Sequence, residues 1–275
     1  MPTLQIDSGL EMFYQVDNFT DPWTKPETVL LLHGNSESGD AWFAWVPELA
    51  RDFRVVRPDM RGFGRSTPMA RDFKWSLDVL SDDFIRLMDE LKIERFHVVG
   101  AKIGGTIARG FAARYPDRIL SLSVVGSPAA LRPQAETKVA AMTELFEKHG
   151  IEHWARTTMD KRLGTRFPQE AKDWWTKFMA RTSLSSQLGF IPAIGYADIR
   201  ADIPKIRCPT FVITTEESDV ASVEQTREWQ SAIPGSELMV VKNDSYHPAI
   251  SAARECVPAV RAFLHKHSER AQPLS

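Results

Sequence analysis

The sequence predicts an α/β protein: a mostly parallel, twisted sheet with helices on both faces and an all-helical insertion late in the chain. Three observations predict it. Short β-rich runs alternate with amphipathic helical stretches, the pattern of helices laid over both faces of a parallel sheet. Thr28–Leu32 is an apolar run without polar alternation, as expected of a strand buried on both faces. From 132 to 201, helical segments follow one another with no buried strand between them.

In chain order, residues 3–6 and 12–16 read as an antiparallel pair of strands that starts the sheet, and 28–32 as a central strand. Residues 42–50 read as a helix and 53–57 as the next strand, which runs into Pro58-Asp59-Met60-Arg61-Gly62-Phe63-Gly64-Arg65-Ser66. The spacing of Leu77, Leu80, Phe84, Leu87, Met88 and Leu91 predicts a long helix over 76–91. Its acidic pair Asp82-Asp83 reads as a solvated face, while Arg57, Arg61 and Arg65 read as partners for core carboxylates such as Asp59. A strand at 96–101, a helix and the strand Ile119–Val125 follow. The insertion carries Trp154, Trp174, Trp175, Phe146, Phe167, Phe178 and Phe190, most of them core and some lining whatever pocket the insertion closes. Strands at 210–214 and 238–241 end the sheet, each followed by helix, and 269–275 reads as a frayed tail. The expected organisation is a core at 1–131, a helical cap at 132–201 and a second core segment at 202–275.

At 275 residues the chain is long enough for one large domain with such an insertion. A net charge of −2 gives no electrostatic case for nucleic acid or an anionic membrane. Cys208 and Cys256 match no metal or redox spacing and read as small buried residues of a reducing compartment. The first thirteen residues lack the basic stretch and apolar run of a signal peptide, and no segment approaches the ~20 apolar residues of a membrane helix. A soluble, cytoplasmic protein acting on a small molecule without metal or cofactor is the expectation.

The most informative position is Lys102. Around it, 96–108 reads as an apolar strand, a glycine-flanked turn and a small-residue helix, which is the setting of a nucleophile elbow, Gly-x-Ser-x-Gly, with lysine in the serine slot. Gly100 and Gly104 supply the two positions where a Cβ would clash in so sharp a turn. Ser127, in a Gly-Ser-Pro turn, is a poor substitute nucleophile.

Four motifs in order, Leu31-Leu32-His33-Gly34-Asn35, the 57–66 segment, the elbow and His247 after the last strand, resemble the α/β-hydrolase fold family over nearly the whole chain. The insertion and the stretch 195–210 are similar to the four-helix cap of 3-oxoadipate enol-lactonases and its return to the core. The resemblance implies an oxyanion hole from the backbone N–H groups of Asn35 and Ile103, and His247 as acid/base. Counting back from Ile233-Pro234-Gly235 puts the acid of the triad at Ser218; Asp219, one residue on, is taken as the orienting acid, with Glu217 behind it. Ser36, Ser38 and Glu37 beside the oxyanion loop, and Trp154 and Trp175 in the cap, are candidates to touch substrate.

Burial, the positive end of the following helix and a protonated His247 would each push the Lys102 amine toward neutrality, opposed only by a nearby carboxylate such as Asp219 or Glu217. A neutral amine attacks ketones and aldehydes, whereas attack on an ester would leave a stable amide. The expected chemistry is therefore imine formation on a small keto acid, enol-lactone or similar carbonyl compound, with C–C cleavage or decarboxylation and proton transfer by His247. The alternatives are a charged Lys102 that stabilises an anion in a lyase or hydrolase, a serine-type hydrolase inactivated by a Ser-to-Lys change, and a non-catalytic ligand-binding protein on this scaffold.

Overall fold

The computed structural model describes residues 2–129, 135–195 and 197–269, with backbone alone at 135 and 136. The boundary expected at 131/132, Tyr196 and residues 270–275 of the tail lie outside the described residues. Eight strands, β1 (Thr3–Asp7), β2 (Leu10–Asp17), β3 (Thr28–Leu32), β4 (Arg54–Pro58), β5 (Phe96–Ala101), β6 (Ile119–Val125), β7 (Thr210–Thr215) and β8 (Glu237–Val241), form one sheet in the order β1-β2-β4-β3-β5-β6-β7-β8. β2 pairs antiparallel with both β1 and β4, and all other pairs are parallel. Leu32 lies opposite Gly100 and Ala101 opposite Val125, so β3, β5 and β6 end level and their following loops meet at one edge. Ligands of open parallel sheets bind at that edge.

Helices α1 (Val46–Leu49), α2 (Leu77–Glu90) and α3 (Ile103–Arg114) precede or flank β6; α4 (Ala135–Leu163), α5 (Gln169–Met179) and α6 (Leu184–Ala193) lie between β6 and β7; α7 (Val223–Gln230), α8 (Pro248–Ser251) and α9 (Ala253–Lys266) complete the chain. One face of the sheet is covered by Leu80, Phe84, Leu87 and Met88 of α2 with Ile107 and Phe111 of α3. The other is covered by Trp42, Trp45 and Leu49 with Val257, Val260 and Leu264 of α9. The Ser76 hydroxyl caps α2 by accepting the N–H of Val79 at 3.1 Å.

Two local expectations are corrected. Residues 42–50 do not form one helix: a 3₁₀ turn at Gly39–Trp42 is followed by the single turn α1. Pro47 has no N–H to give and its ring excludes a helix running in from Phe43, so the helix can only restart there. Asp83 is not solvated either. It is buried and takes both Nε and Nη2 of Arg61, at 2.8 and 2.6 Å, and Nη2 also reaches Asp7 at 2.6 Å. Apolar periodicity does not reveal such a pair, because the carboxylate lies on the flank of the apolar stripe. Arg65 does pair with Asp59, at 3.2 Å.

Within α4, Gly150 leaves helical geometry at φ 75°, ψ 175°, so the insertion contains four helical stretches in three labelled helices. Among the described residues no helix is long and apolar enough to cross a membrane.

Candidate active site

Lys102 sits at the sharp turn between β5 and α3 with φ 55° and ψ −125°, a left-handed backbone held by its N–H on the Val125 carbonyl at 3.1 Å. Such a conformation costs on the order of 1–3 kcal/mol in a non-glycine residue. Both flanking glycines are required. A Cβ on Gly100 would stand 2.4 Å from the Gly104 oxygen, and one on Gly104 would stand 2.2 Å from the Leu32 oxygen. Ser36, in the loop after β3, is also left-handed at φ 58°, so among the described residues two of the three non-glycine residues with positive φ lie in the loops that build this site.

The loop after β3 is fixed by polar side chains. The Met60 N–H donates to His33 Nε2 at 3.0 Å, which puts the ring proton on Nδ1, and Nδ1 donates to the Gly34 carbonyl at 2.8 Å. Glu37 folds back over Gly34 and accepts its N–H at Oε2, 2.9 Å away, while a Cβ on Gly34 would come within 2.8 Å of Glu37 Oε1. Asn35 is thereby presented beside Ile103, the first residue of α3, whose N–H belongs to the first turn and is not used inside the helix. Both Asn35 and Ile103 line a cavity of about 300 Å³ together with Lys102, Trp154, Arg162 and Tyr246.

His247 lies in the loop after β8, where the sequence places it, but its partner differs from the one expected. His247 Nε2 is 2.9 Å from Glu37 Oε1, both residues being almost wholly buried. Asp219 is instead half-exposed at the cavity and ion-paired with Lys161 at 2.7 Å, and Glu217 is exposed. The orienting carboxylate of the histidine is thus Glu37, which the sequence suggested only as a substrate contact. Nothing in a single sequence distinguishes it, since the pairing depends on a loop closing over Gly34 and on a histidine 210 residues away.

Electrostatics define the protonation states. Burial works against a charged Glu37, but the hydrogen bond from His247 and the charge of Arg162 more than offset it and hold the carboxyl down at about 2. An ionised Glu37 only accepts, so the His247 proton is assigned to Nε2. Burial pushes the His247 pKa down, against the pull of Glu37 and with help from Lys102 and Arg162, leaving a neutral ring. Its Nδ1 is buried and has no hydrogen-bond partner among the described residues.

Lys102 Nζ donates to the Tyr246 carbonyl at 2.8 Å and lies 4.2 Å from the centroid of that ring. No carboxylate oxygen lies within ion-pair distance of it among the described residues. Burial first, then the guanidinium of Arg162, pull its pKa well below the ordinary lysine range, and Glu37 opposes them. Burial acts in the expected direction; Arg162 was not foreseen, and the opposing carboxylate is Glu37 in place of Asp219 or Glu217.

The other candidates separate. Trp154 lines the cavity. Trp175 is buried with its ring 6.3 Å from that of His247, backing the histidine without lining the cavity. The Ser36 hydroxyl donates to Gln187 of α6 at 3.1 Å, tying loop to insertion, and Ser38 caps the 3₁₀ turn. Ser127 accepts from buried Arg109 at 2.8 Å. The sequence reading missed Arg162 and Tyr246. Tyr246 is held by its N–H on the Lys161 carbonyl at 3.0 Å, which couples the histidine loop to the end of α4 where Arg162 stands. Among the described residues no group of three His, Cys, Asp or Glu side chains is placed to hold a metal ion.

The chain is 26% identical over 262 residues to a non-heme chloroperoxidase of Kitasatospora aureofaciens, covering 90% of this chain and 92% of that one. It is 38% identical over 111 residues to a 2-hydroxymuconate semialdehyde hydrolase of Pseudomonas sp. strain CF600, covering 39% of each. Among solved structures, the enol-lactonase of Burkholderia xenovorans LB400 superposes with a TM-score of 0.87 at 24% identity, covering 96% of this chain and 100% of that one, a likeness of fold. The sequence model of the α/β hydrolase fold family matches residues 27–251, and the chain belongs to that family.

Proposed function

We propose that this protein is an enzyme of the α/β-hydrolase fold family that acts on a small carbonyl compound through the amine of Lys102. The observation that carries the reading is the position of that amine: at the turn where the family's nucleophile stands, on a cavity wall, with no carboxylate partner among the described residues and with Arg162 close enough to disfavour its charge. A neutral amine adds to a ketone or aldehyde carbon. The oxygen that forms gains charge beside the N–H groups of Asn35 and Ile103, and loss of water leaves an iminium. The iminium accepts the electron pair of the adjacent C–C bond, so a β-oxo acid loses carbon dioxide, and a β-dicarbonyl undergoes retro-Claisen cleavage once water has added to its second carbonyl; protonation and hydrolysis of the enamine left behind free Lys102. His247, whose ring Glu37 holds at 2.9 Å, is the proton carrier of this reading; it is the chain neighbour of Tyr246 and stands behind the cavity wall, its buried Nδ1 having no hydrogen-bond partner among the described residues. Borohydride reduction in the presence of small ketones and oxo acids tests this: the reading expects a covalent mass adduct on Lys102, and turnover of a substrate with no trappable adduct would remove the imine.

A second reading, in which Lys102 stays charged and stabilises an anion, is favoured by one observation. The Tyr246 carbonyl at 2.8 Å and ring face at 4.2 Å both reward an ammonium. Activity retained in Lys102→Arg would support it, because arginine keeps the charge and cannot form an imine.

A further inference from the structure

Among the described residues, the insertion brings two cations to the cavity, Lys138, which is exposed, and Arg162, which is buried. Arg162, near the end of α4, is only 4% exposed, and its Nε is buried without a hydrogen-bond partner among the described residues. Its guanidinium lies 5.1 Å from the ring centroid of Trp154 and 5.3 Å from that of Tyr246. Among the described residues the nearest anion is Glu37, whose Oε1 is 3.8 Å from Nη1, beyond hydrogen-bond reach and already engaged with His247. A guanidinium presents five N–H donors, and leaving them unmade in a buried site is costly unless something else takes them.

The charges around the cavity point to what does. Among the described residues Lys138 and Arg162 line it beside Lys102, and the one lining carboxylate, Asp219, is ion-paired with Lys161. The remaining charge is positive, and a planar fork with unused donors matches a carboxylate in two parallel hydrogen bonds. Lys102 and Arg162 both stand against the ring of Tyr246, at 4.2 and 5.3 Å from its centroid, so one small molecule spans them. We infer that Arg162 is the carboxylate anchor of this site and that the substrate is a small oxo acid, held by its carboxylate at Arg162 with its carbonyl at Lys102. The choice of an oxo acid rests on the carbonyl reading above; the carboxylate site itself does not.

The test uses ligands without a ketone, so that it does not depend on Lys102. Butanoate and its uncharged isostere butanamide are titrated into the full chain, with binding read by calorimetry and by the fluorescence of Trp154, for the wild type, Lys102→Met, Arg162→Gln and Arg162→Lys, each first shown to be folded by its melting curve. The expected result is binding of butanoate but not butanamide to the wild type and Lys102→Met. Affinity should fall about tenfold or more in Arg162→Gln and lie between the two in Arg162→Lys, which keeps charge and loses the fork. Equal affinity in Arg162→Gln, equal binding of the amide, or no binding of butanoate to the wild type at tens of millimolar would each overturn the anchor. Butanoate binding through Arg162 in a protein that never forms an imine would keep the anchor and discard the lysine mechanism.

Discussion

Glu37 and His247 are joined by a 2.9 Å contact between Oε1 and Nε2, so the carboxylate that orients the histidine comes from the loop after β3, two residues beyond Asn35. The loop that carries Asn35 and the carboxylate that meets the histidine are consequently one structural unit, held by the Gly34 N–H and the ring of His33.

Replacing Glu37 by Gln should slow proton transfer by about 10²–10⁴-fold, because an amide can donate its NH2 to Nε2 as readily as accept from it, and so no longer fixes the tautomer, and carries no charge to offset that on the ring. Asp219→Asn should change stability by less than about 1 kcal/mol, as expected for an exposed ion pair, and leave the rate within a few-fold. The rate of Lys102 adduct formation with a 1,3-diketone reads both, and the opposite ranking would restore Asp219 as the acid.

Arg162→Gln should shift the midpoint of Lys102 reactivity upward, toward the ordinary lysine value of about 10.4, because the largest charge that repels its proton is removed while burial remains. The pH profile of adduct formation in the variant measures this, and an unmoved or lowered midpoint would show that burial alone sets the amine.

Stability should depend on pH in two windows. Lys102 titrates lower folded than unfolded, so from its folded midpoint up to about 10.4 the unfolded chain binds more protons and stability rises with pH. Lys102→Met removes that rise and should be more stable than the wild type at neutral pH, the difference shrinking above pH ~10. Glu37 titrates at about 2 against 4.5 unperturbed, so its contribution is complete above about 4.5 and is lost as pH falls toward about 2. Denaturant melts across pH, in wild type and Lys102→Met, check both signs.

Two glycines of one helix should behave oppositely. Gly104→Ala should cost about 1–3 kcal/mol or more, since the added Cβ meets the Leu32 oxygen at 2.2 Å. At Gly110 the nearest atom to a new Cβ is 3.8 Å away, so Gly110→Ala should stabilise α3 by up to about 1 kcal/mol. Urea midpoints of the two variants give the comparison.

The frame of the site was legible in the sequence because local rules govern it. The buried strand Thr28–Leu32 and the glycines flanking Lys102 follow from periodicity and from steric need at a turn, while the histidine after the last strand was legible only through the resemblance to a family. The charge partners were not legible. Glu37, Arg162 and Asp83 find His247, the cavity and Arg61 through loop closure and contacts across the fold, and an acidic or basic residue in a polar stretch has the same appearance whether it is solvated or buried. Pro47 was legible in principle: a proline five residues into an expected helix marks the break.

The most direct measurement of the central claim is titration of the protein, and of Lys102→Ala, with a small 1,3-diketone while following near-ultraviolet enaminone absorbance across pH. The predicted result is an absorbance that appears with a midpoint well below about 10.4 and is absent from the alanine variant. Silence at every pH in folded wild-type protein, or an equal signal from Lys102→Ala, would contradict a nucleophilic Lys102.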